Sequence, residues 1–315
     1  MAFTIALAPM AGYTDQSFRR ICTAYGMDYA TTEMVSAKAL YYKDKKTRRL
    51  MAVAADEAPV SLQLFGDEAE IFRAVLEALG DELKNYRSLD INMGCPAPKI
   101  VKTGAGSALL KTPDKAAAIL KACVECSPIP VSVKIRKGFN EGDEEGMEIA
   151  KIAEAAGVRE ITVHGRSREA YYSGVADWDF ITRLAKAVKV PVVGNGDIYR
   201  AEDVLRHMDA PLAGVAIGRG AVGHPFLFQE IRRALSGEAI DAPSKREIIA
   251  VAKHHLELSV AEKGEHLGVI EMRKHFIGYL KGFSEAKRRR NEILSLSEKD
   301  AIDDYLDRLA KEACD

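Results

Sequence analysis

Cys95 stands between Gly94 and Pro96, three residues after Asn92 closes a run of strand-forming residues in SLDINMGCPAPKIVKTGAGSAL. An ordinary thiol has a pKa of about 8.5 and is mostly neutral at pH 7. It can therefore hand a proton to one face of a substrate while a hydride arrives at the other. The bland alternative is a packed core thiol, which a position between glycine and proline disfavours. Gly104 and Gly106 follow as the expected hinges of a loop over residues 95–109 that closes over the substrate.

Other chemistry-bearing residues fall at the ends of further short β-rich runs. Pro9, Met10 and Ala11 follow the first, and Glu33 and Met34 close the second. Gln63 lies late in the third, Lys134 and Arg136 end the fifth, and His164 and Arg166 end the sixth. Asn195, Gly196 and Asp197 follow the seventh; Gly218, Arg219 and Gly220 follow the eighth. Singly, a strand-end Asn, Gln or His serves more often to satisfy loop backbone than to catalyse. Polar groups on every strand end argue together for a ligand, because buried polar groups need partners.

GNGDI and IGRGA leave backbone N–H groups free to approach an anion, and Arg219 adds a charge-assisted contact. The phosphate so held fits a sugar phosphate or a flavin mononucleotide. Lys134 suits the electron-rich edge of a reduced flavin, and Gln63 offers the donor and acceptor of a pyrimidine edge. A Schiff-base role for Lys134, as in an aldolase or isomerase, competes but leaves Cys95 without a task.

These residues require a scaffold that brings strand ends together. IALAP (5–9), YATTEM (29–34), VSLQLF (60–65), LDIN (89–92), VSVKI (131–135), EITVHG (160–165), PVVGNG (191–196) and GVAIG (214–218) alternate with helical patterns. Most read as continuously apolar, the mark of strands buried on both faces. Eight β/α units predict a parallel (β/α)8 TIM barrel over residues 1–240, with its chemistry at the strand C-terminal ends. An open doubly wound sheet is the rival, weakened by the lack of G-x-G-x-x-G after the first strand. After the linker SGEAIDAPS the strand signal fades. Helical spacing at Ile248, Val251, Ala252, His255 and Leu258 predicts a small all-helical C-terminal domain over 244–315.

The chain has 315 residues, 47% hydrophobic and 29% charged, with a net charge of −1. Such a balance gives no overall attraction to nucleic acid. One local patch does: Arg273, Lys274, Lys281, Lys287, Arg288, Arg289 and Arg290 against Glu285 alone. The apolar start MAFTIALAPMAG lacks a basic flank and reads as a strand rather than a signal peptide. No apolar run is long enough to span a bilayer. Five cysteines at irregular spacing fit a cytoplasmic chain better than a disulfide framework. Cys123 and Cys126 form a CxxC with no second pair, and His254, His255, His266 and His275 lack ligand spacing, so no metal is expected. Cys22 and Cys314 read as incidental. No dimer seam is visible, and a monomer is expected.

APMAGYTDQSFR, TTEM, SLQLFG, DINMGCPAPKIVKTGAGSALL, VKIRKG, TVHGRSREAYYSGVADW, VVGNGDI and AIGRGA resemble, in order, the signatures of tRNA-dihydrouridine synthases. MRKHFIGYLKG resembles their helical C-terminal domain, and the DusB-like bacterial branch is the nearest in pattern. The resemblance implies FMN in the barrel mouth, on Pro9, Met10, Ala11, Gln63, Lys134, His164, Asn195, Gly196, Asp197, Gly218 and Arg219. It implies Cys95 as the catalytic acid, Asn92 and Arg136 near the target uracil, and Arg166 on flavin phosphate or substrate. NADPH (or NADH) would reduce FMN. Hydride would then pass from flavin N5 to C6 of an extruded tRNA D-loop uridine, and Cys95 would protonate C5. The helical domain with the basic segment 273–290 would hold the tRNA. An FMN-dependent reductase or dehydrogenase of free pyrimidines is the alternative, which leaves the helical domain unexplained.

Overall fold

The computed structural model describes residues 3–312; Cys314 lies outside them. Nine strands occur among the described residues: β1 (Thr4–Leu7), β2 (Tyr29–Thr31), β3 (Val35–Ser36), β4 (Val60–Phe65), β5 (Leu89–Met93), β6 (Val131–Arg136), β7 (Glu160–His164), β8 (Val192–Asn195) and β9 (Gly214–Ile217). All pairings are parallel. They run from β2 through β1, β9, β8, β7, β6 and β5 to β4, which pairs back to β2. The sheet is thus closed on itself, as a (β/α)8 barrel requires.

The expected strand 29–34 is interrupted. Thr32 Oγ1 accepts the Gln63 N–H at 3.0 Å, where a backbone carbonyl would serve in a regular ladder. The chain then leaves the sheet through Glu33 and Met34 and rejoins β4 as β3, with Val35 opposite Leu64. Around the barrel lie α1 (Gln16–Ala24), α2 (Ala37–Tyr41), α3 (Lys45–Arg49), α4 (Ala69–Leu79), α5 (Pro98–Val101), α6 (Pro113–Cys126), α7 (Gly146–Ala156), α8 (Trp178–Ala187), α9 (Ala201–Leu205) and α10 (Leu227–Leu235). Asp15 caps α1 by accepting the Phe18 N–H, and Asp177 caps α8 by accepting the Phe180 N–H.

The expectation of continuously apolar strands fails for β4, β5 and β6. Their apolar residues Leu62, Leu64, Ile91, Val133 and Ile135 pack in one cluster with Phe72, Leu76, Ile119 and Leu120 of α4 and α6. The residues between them point into the barrel and are polar: Ser61, Gln63, Asp90 and Ser132 are all buried there. Every one finds a hydrogen-bond partner across the strands, which makes a polar interior tolerable.

The C-terminal helices are α11 (Lys245–Lys263), α12 (Glu265–Tyr279), α13 (Ala286–Ser295) and α14 (Lys299–Glu312). A reciprocal capping box between Ser244 and Glu247 starts α11. These helices share an apolar cluster with the barrel, in which Ile21 of α1 and Phe226 meet Ile249, Leu256, Met272, Phe276 and Leu306. Polar bonds fasten the same seam. Lys263 Nζ donates to Asp15, and the Ser17 N–H donates to Glu262 at 3.0 Å. Gly223 lies directly on the Gly278 backbone; a Cβ there would sit 2.2 Å from the Gly278 carbonyl carbon. That close approach carries α12 over the strand ends.

Two buried histidines occupy the seam. His255 stacks on Phe18 at 5.5 Å, and His275 lies 4.8 Å from the same ring. Burial depresses both pKa values, His255 to about 4, with Asp15 opposing and Lys263 and Lys274 assisting. The unfolded chain takes up these protons first as pH falls. Stability is therefore full above about pH 6.5 and is lost below it. His255 alone is expected to remove about 2 kcal/mol between pH 7 and pH 5. Thermal denaturation at the two pH values checks this, and an unchanged midpoint would contradict it.

Candidate active site

The C-terminal ends of the strands surround a cavity of about 760 Å³, within the range of cofactor and ligand sites. Pro9, Met10, Ala11, Gln63, Asn92, Cys95, Lys134, Arg136, His164, Asn195, Gly196, Asp197, Gly218 and Arg219 all line it, so the structure brings together nearly every residue singled out in the sequence. Met34 lines it too, whereas Glu33 turns aside to accept the Gly12 N–H. Arg166 lies behind the wall, held by the Ser173 and Gly174 carbonyls at 2.9 and 2.7 Å.

Strand alternation puts Asn92 of β5 inside the barrel, and Asn92 Oδ1 accepts the Cys95 N–H at 2.9 Å and the Gly94 N–H at 3.2 Å. The Cys95 carbonyl in turn accepts from the Ser107 N–H at 3.1 Å and the Ser107 hydroxyl at 2.9 Å. The 95–109 segment is thus folded, with α5 and a 3-10 turn (Gly106–Lys111), and is bonded at both edges of Cys95. Gly106 has φ +61, and a Cβ there would meet the Cys95 carbonyl oxygen at 3.0 Å, so the turn needs glycine. Burial raises the Cys95 pKa, against the opposing charges of Arg136 and Lys134. The thiol is protonated at neutral pH.

Lys134 Nζ donates to Asn195 Oδ1 at 2.9 Å. His164 Nδ1 lies 2.9 Å from the same oxygen, while Asn195 Nδ2 donates to the Ala216 carbonyl at 2.7 Å. The carbonyl fixes the amide, so His164 Nδ1 carries a hydrogen. Burial and the nearby Arg136 and Lys134 charges depress the His164 pKa, which keeps the ring neutral. Burial, aided by Arg136, pushes Lys134 down to about 7. An anionic ligand edge would restore its charge.

Arg136 is a brace. Its Nε donates to the Gly94 carbonyl at 2.8 Å, and its Nη1 to the Ser167 and Tyr171 carbonyls at 2.8 and 2.9 Å. It joins the Cys95 turn to the loop after β7. Gln63 is likewise engaged at both ends of its amide, by Asp90 at 2.7 Å and Asn92 at 2.8 Å. One N–H and one lone pair remain for a ligand edge.

Both glycine-containing turns expected to receive an anion line the cavity. Gly196 has φ +131, and a Cβ there would come within 2.6 Å of Ala176. Asp197 takes Arg166 Nη2 at 2.6 Å and Arg219 Nη2 at 3.4 Å. Its carboxylate aims the two cations, so the side chain itself is unsuited to touch a phosphate. Arg166 Nη1 and His164 Nε2 are buried without a hydrogen-bond partner among the described residues. Arg166 Nη1 and the His164 ring both sit beside Gly196. Such orphaned groups fit a phosphorylated cofactor with a polar ring system, as FMN is.

Three groups lie inside or beside segments quoted above, but nothing in the sequence assigns them a role in the cavity. Tyr171, Tyr172 and Tyr199 rim the cavity, with Arg219 stacked 4.6 Å over Tyr172. Lys274, Ile277, Gly278, Lys281 and Arg290 form the wall contributed by the C-terminal helices; the 274, 278, 281 spacing is the available cue. Asp90 lies one layer below the strand ends. Two further cations of the basic segment are engaged elsewhere. Arg288 pairs with Glu285 and Glu292 at 2.5 and 2.6 Å, and buried Arg289 pairs with Glu312 at 2.8 Å.

Among the described residues no group of His, Cys, Asp and Glu could hold a metal ion, and no helix is long and apolar enough to cross a membrane. The fold resembles that of histamine dehydrogenase from Rhizobium sp. 4-9 (TM-score 0.53, 12% identity), over 81% of this chain and 48% of that one, so the chain spans about half of that enzyme's length. A probable tRNA-dihydrouridine synthase of Rickettsia conorii is 38% identical over 310 residues, 95% of this chain and 92% of the relative. A tRNA-dihydrouridine synthase B of Pseudomonas syringae pv. tomato is 38% identical over 291 residues, 91% and 85% of the two chains. The dihydrouridine synthase family matches residues 6–314. With that span, and with a thiol, a lysine and two glycine-containing turns converging on one barrel mouth, the chain belongs to the dihydrouridine synthase family.

Proposed function

We propose that this chain is an FMN-dependent tRNA-dihydrouridine synthase that reduces the C5=C6 bond of D-loop uridines. The observation that carries the reading is the half-buried Cys95 thiol, held at the mouth of a cavity with Lys134 on its floor and the C-terminal helices as one wall. FMN held there and reduced by NADPH would supply the hydride for C6. Cys95 supplies the proton for C5 from Sγ. Asn92 holds the Cys95 turn, and Arg136 braces it from below while presenting its charge to the uracil. Lys134 and the Asn195 amide would face the electron-rich edge of the flavin, and His164, Arg166, Gly196, Gly218 and Arg219 would receive its polar and phosphate groups. The ring must leave the RNA stack to reach this depth. A barrel followed by the helices of 244–315, acting as a monomer in the cytoplasm, completes the reading.

Lys274, Lys281 and Arg290, rather than Arg288 and Arg289, are the cations placed to meet tRNA phosphate. The Lys274→Ala, Lys281→Ala double variant is expected to weaken tRNA binding and to lower the salt slope by about two, one per phosphate contact. Binding measured across a salt series checks this, and an unchanged slope would count against it.

The function itself is tested with unmodified tRNA and free uracil, each incubated anaerobically with the protein and NADPH. Dihydrouridine in a D-loop fragment, located by mass spectrometry, is the expected product. Reduction of uracil alone would favour the free-pyrimidine reading. The α12 wall argues against that, since a free base needs no cationic rim outside its pocket.

A further inference from the structure

We propose that Asp90 is a positioning residue: it sets the direction of a hydrogen-bond chain that runs through the barrel interior and ends on the backbone of Cys95. Its carboxylate has both oxygens engaged. Oδ1 accepts from the Ser132 hydroxyl at 2.8 Å, and Oδ2 accepts from Gln63 Nε2 at 2.7 Å. Gln63 Oε1 then accepts from Asn92 Nδ2 at 2.8 Å. Asn92 Oδ1 is left to accept the Cys95 and Gly94 N–H groups.

An amide has a donor end and an acceptor end, so two amides in series transmit an orientation. An ionised carboxylate can only accept, which forces Gln63 Nε2 toward Asp90. Everything above follows in order, and an acceptor is presented to the Cys95 turn. A protonated Asp90 can donate to Gln63 instead. The amides can then reverse, and Asn92 Nδ2 faces the Cys95 N–H, two donors with no bond between them. The turn that aims the thiol loses its tether.

The charge on Asp90 is within reach of ordinary pH. Burial raises its pKa to about 6, against the Gln63 and Ser132 hydrogen bonds and the Lys134 charge, with Glu160 adding to the rise. Gln63 faces it from β4, Ser132 and Lys134 from β6, and Glu160 from β7. Tyr29 of β2 and Arg87, just before β5, also feel its charge.

The test uses the FMN-loaded protein labelled with ¹⁵N-cysteine. The Cys95 amide is assigned with a Cys95→Ser variant and followed from pH 8 to pH 5. The amide proton is expected to shift with a midpoint near pH 6, matching Asp90. Ser132→Ala, which removes one bond to the charged form, is expected to raise that midpoint by about one unit. In Asp90→Asn, which can still present an oxygen to Gln63, the inflection is expected to vanish with the amide held at its high-pH position. No inflection in the parent, or one that survives Asp90→Asn as a Lys134 titration would, overturns the proposal. Should Asp90→Asn not fold, an unmoved midpoint in Ser132→Ala does the same. The value of the relay to catalysis rests on Cys95 being the proton donor, but no tRNA enters this experiment. A failed uridine assay and a failed titration are therefore separate results.

Discussion

Replacing Cys95 with alanine is expected to leave bleaching of the yellow protein by NADPH unchanged and to slow uridine reduction by about 10²–10⁴-fold, the usual worth of a placed general acid. The separation of the two half-reactions follows from geometry. The thiol stands on the turn after β5, tied through its backbone to Asn92 and Ser107. Its Sγ has no place in the hydrogen bonds that hold Lys134, Asn195 and His164 together. Removing Sγ therefore takes away a proton source without opening the cofactor side of the cavity. Rapid mixing of reduced protein with unmodified tRNA, against a separate NADPH reduction, reads the two steps independently. Full turnover by the variant would require another acid within reach of C5. A parallel loss of NADPH reduction would mean that the side chain supports the cofactor.

Replacing Arg19 with methionine is expected to cost about 3–5 kcal/mol of stability. Arg19 and Glu57 form an ion pair at 2.7 Å with side chains 2% and 0% exposed. Arg19 also donates to the Thr14 carbonyl at 2.9 Å and the Ala52 carbonyl at 2.7 Å. The substitution leaves Glu57 buried beside two carbonyls that have lost their donor, which is the expensive way to break such a pair. Changing Glu57 to glutamine in the same chain removes the stranded charge, so the double variant is expected to recover part of the loss. Thermal denaturation of the parent, single and double variants decides, and a single variant melting within about 1 °C of the parent would refute the assignment. The site should feel the change as well, because Thr14 closes the turn that carries Met10 and Tyr13 into the cavity.

The barrel was legible because eight β/α units repeat at a spacing that few folds share, and β4 spans the same residues in sequence and structure, 60–65. The strand at 29–34 was misjudged because Thr32 replaces a ladder bond with its own side chain, which β propensity does not register. Site residues at strand ends could be found by position alone. Asp90 could not, since in LDIN it reads as one polar residue inside a strand, and its partners Gln63 and Ser132 are 27 and 42 residues away. Arg288 and Arg289 read as part of a patch opposed by Glu285 alone because their further partners, Glu292 and Glu312, lie beyond the basic window. Tyr171 and Tyr172 gain meaning only from a fold that sets their loop opposite Arg219.

The contact of Gly223 with the Gly278 backbone has a bearing on how this enzyme could change its target. The helix that meets the outside world and the pocket that does the chemistry share a contact with no side chain in it. A new tail grafted onto this barrel would inherit the chemistry only if it kept that bare crossing. Drift in the surface proposed to meet tRNA is therefore leashed to the reaction chamber, and specificity would evolve on the outer face of α12 far more readily than at its seat.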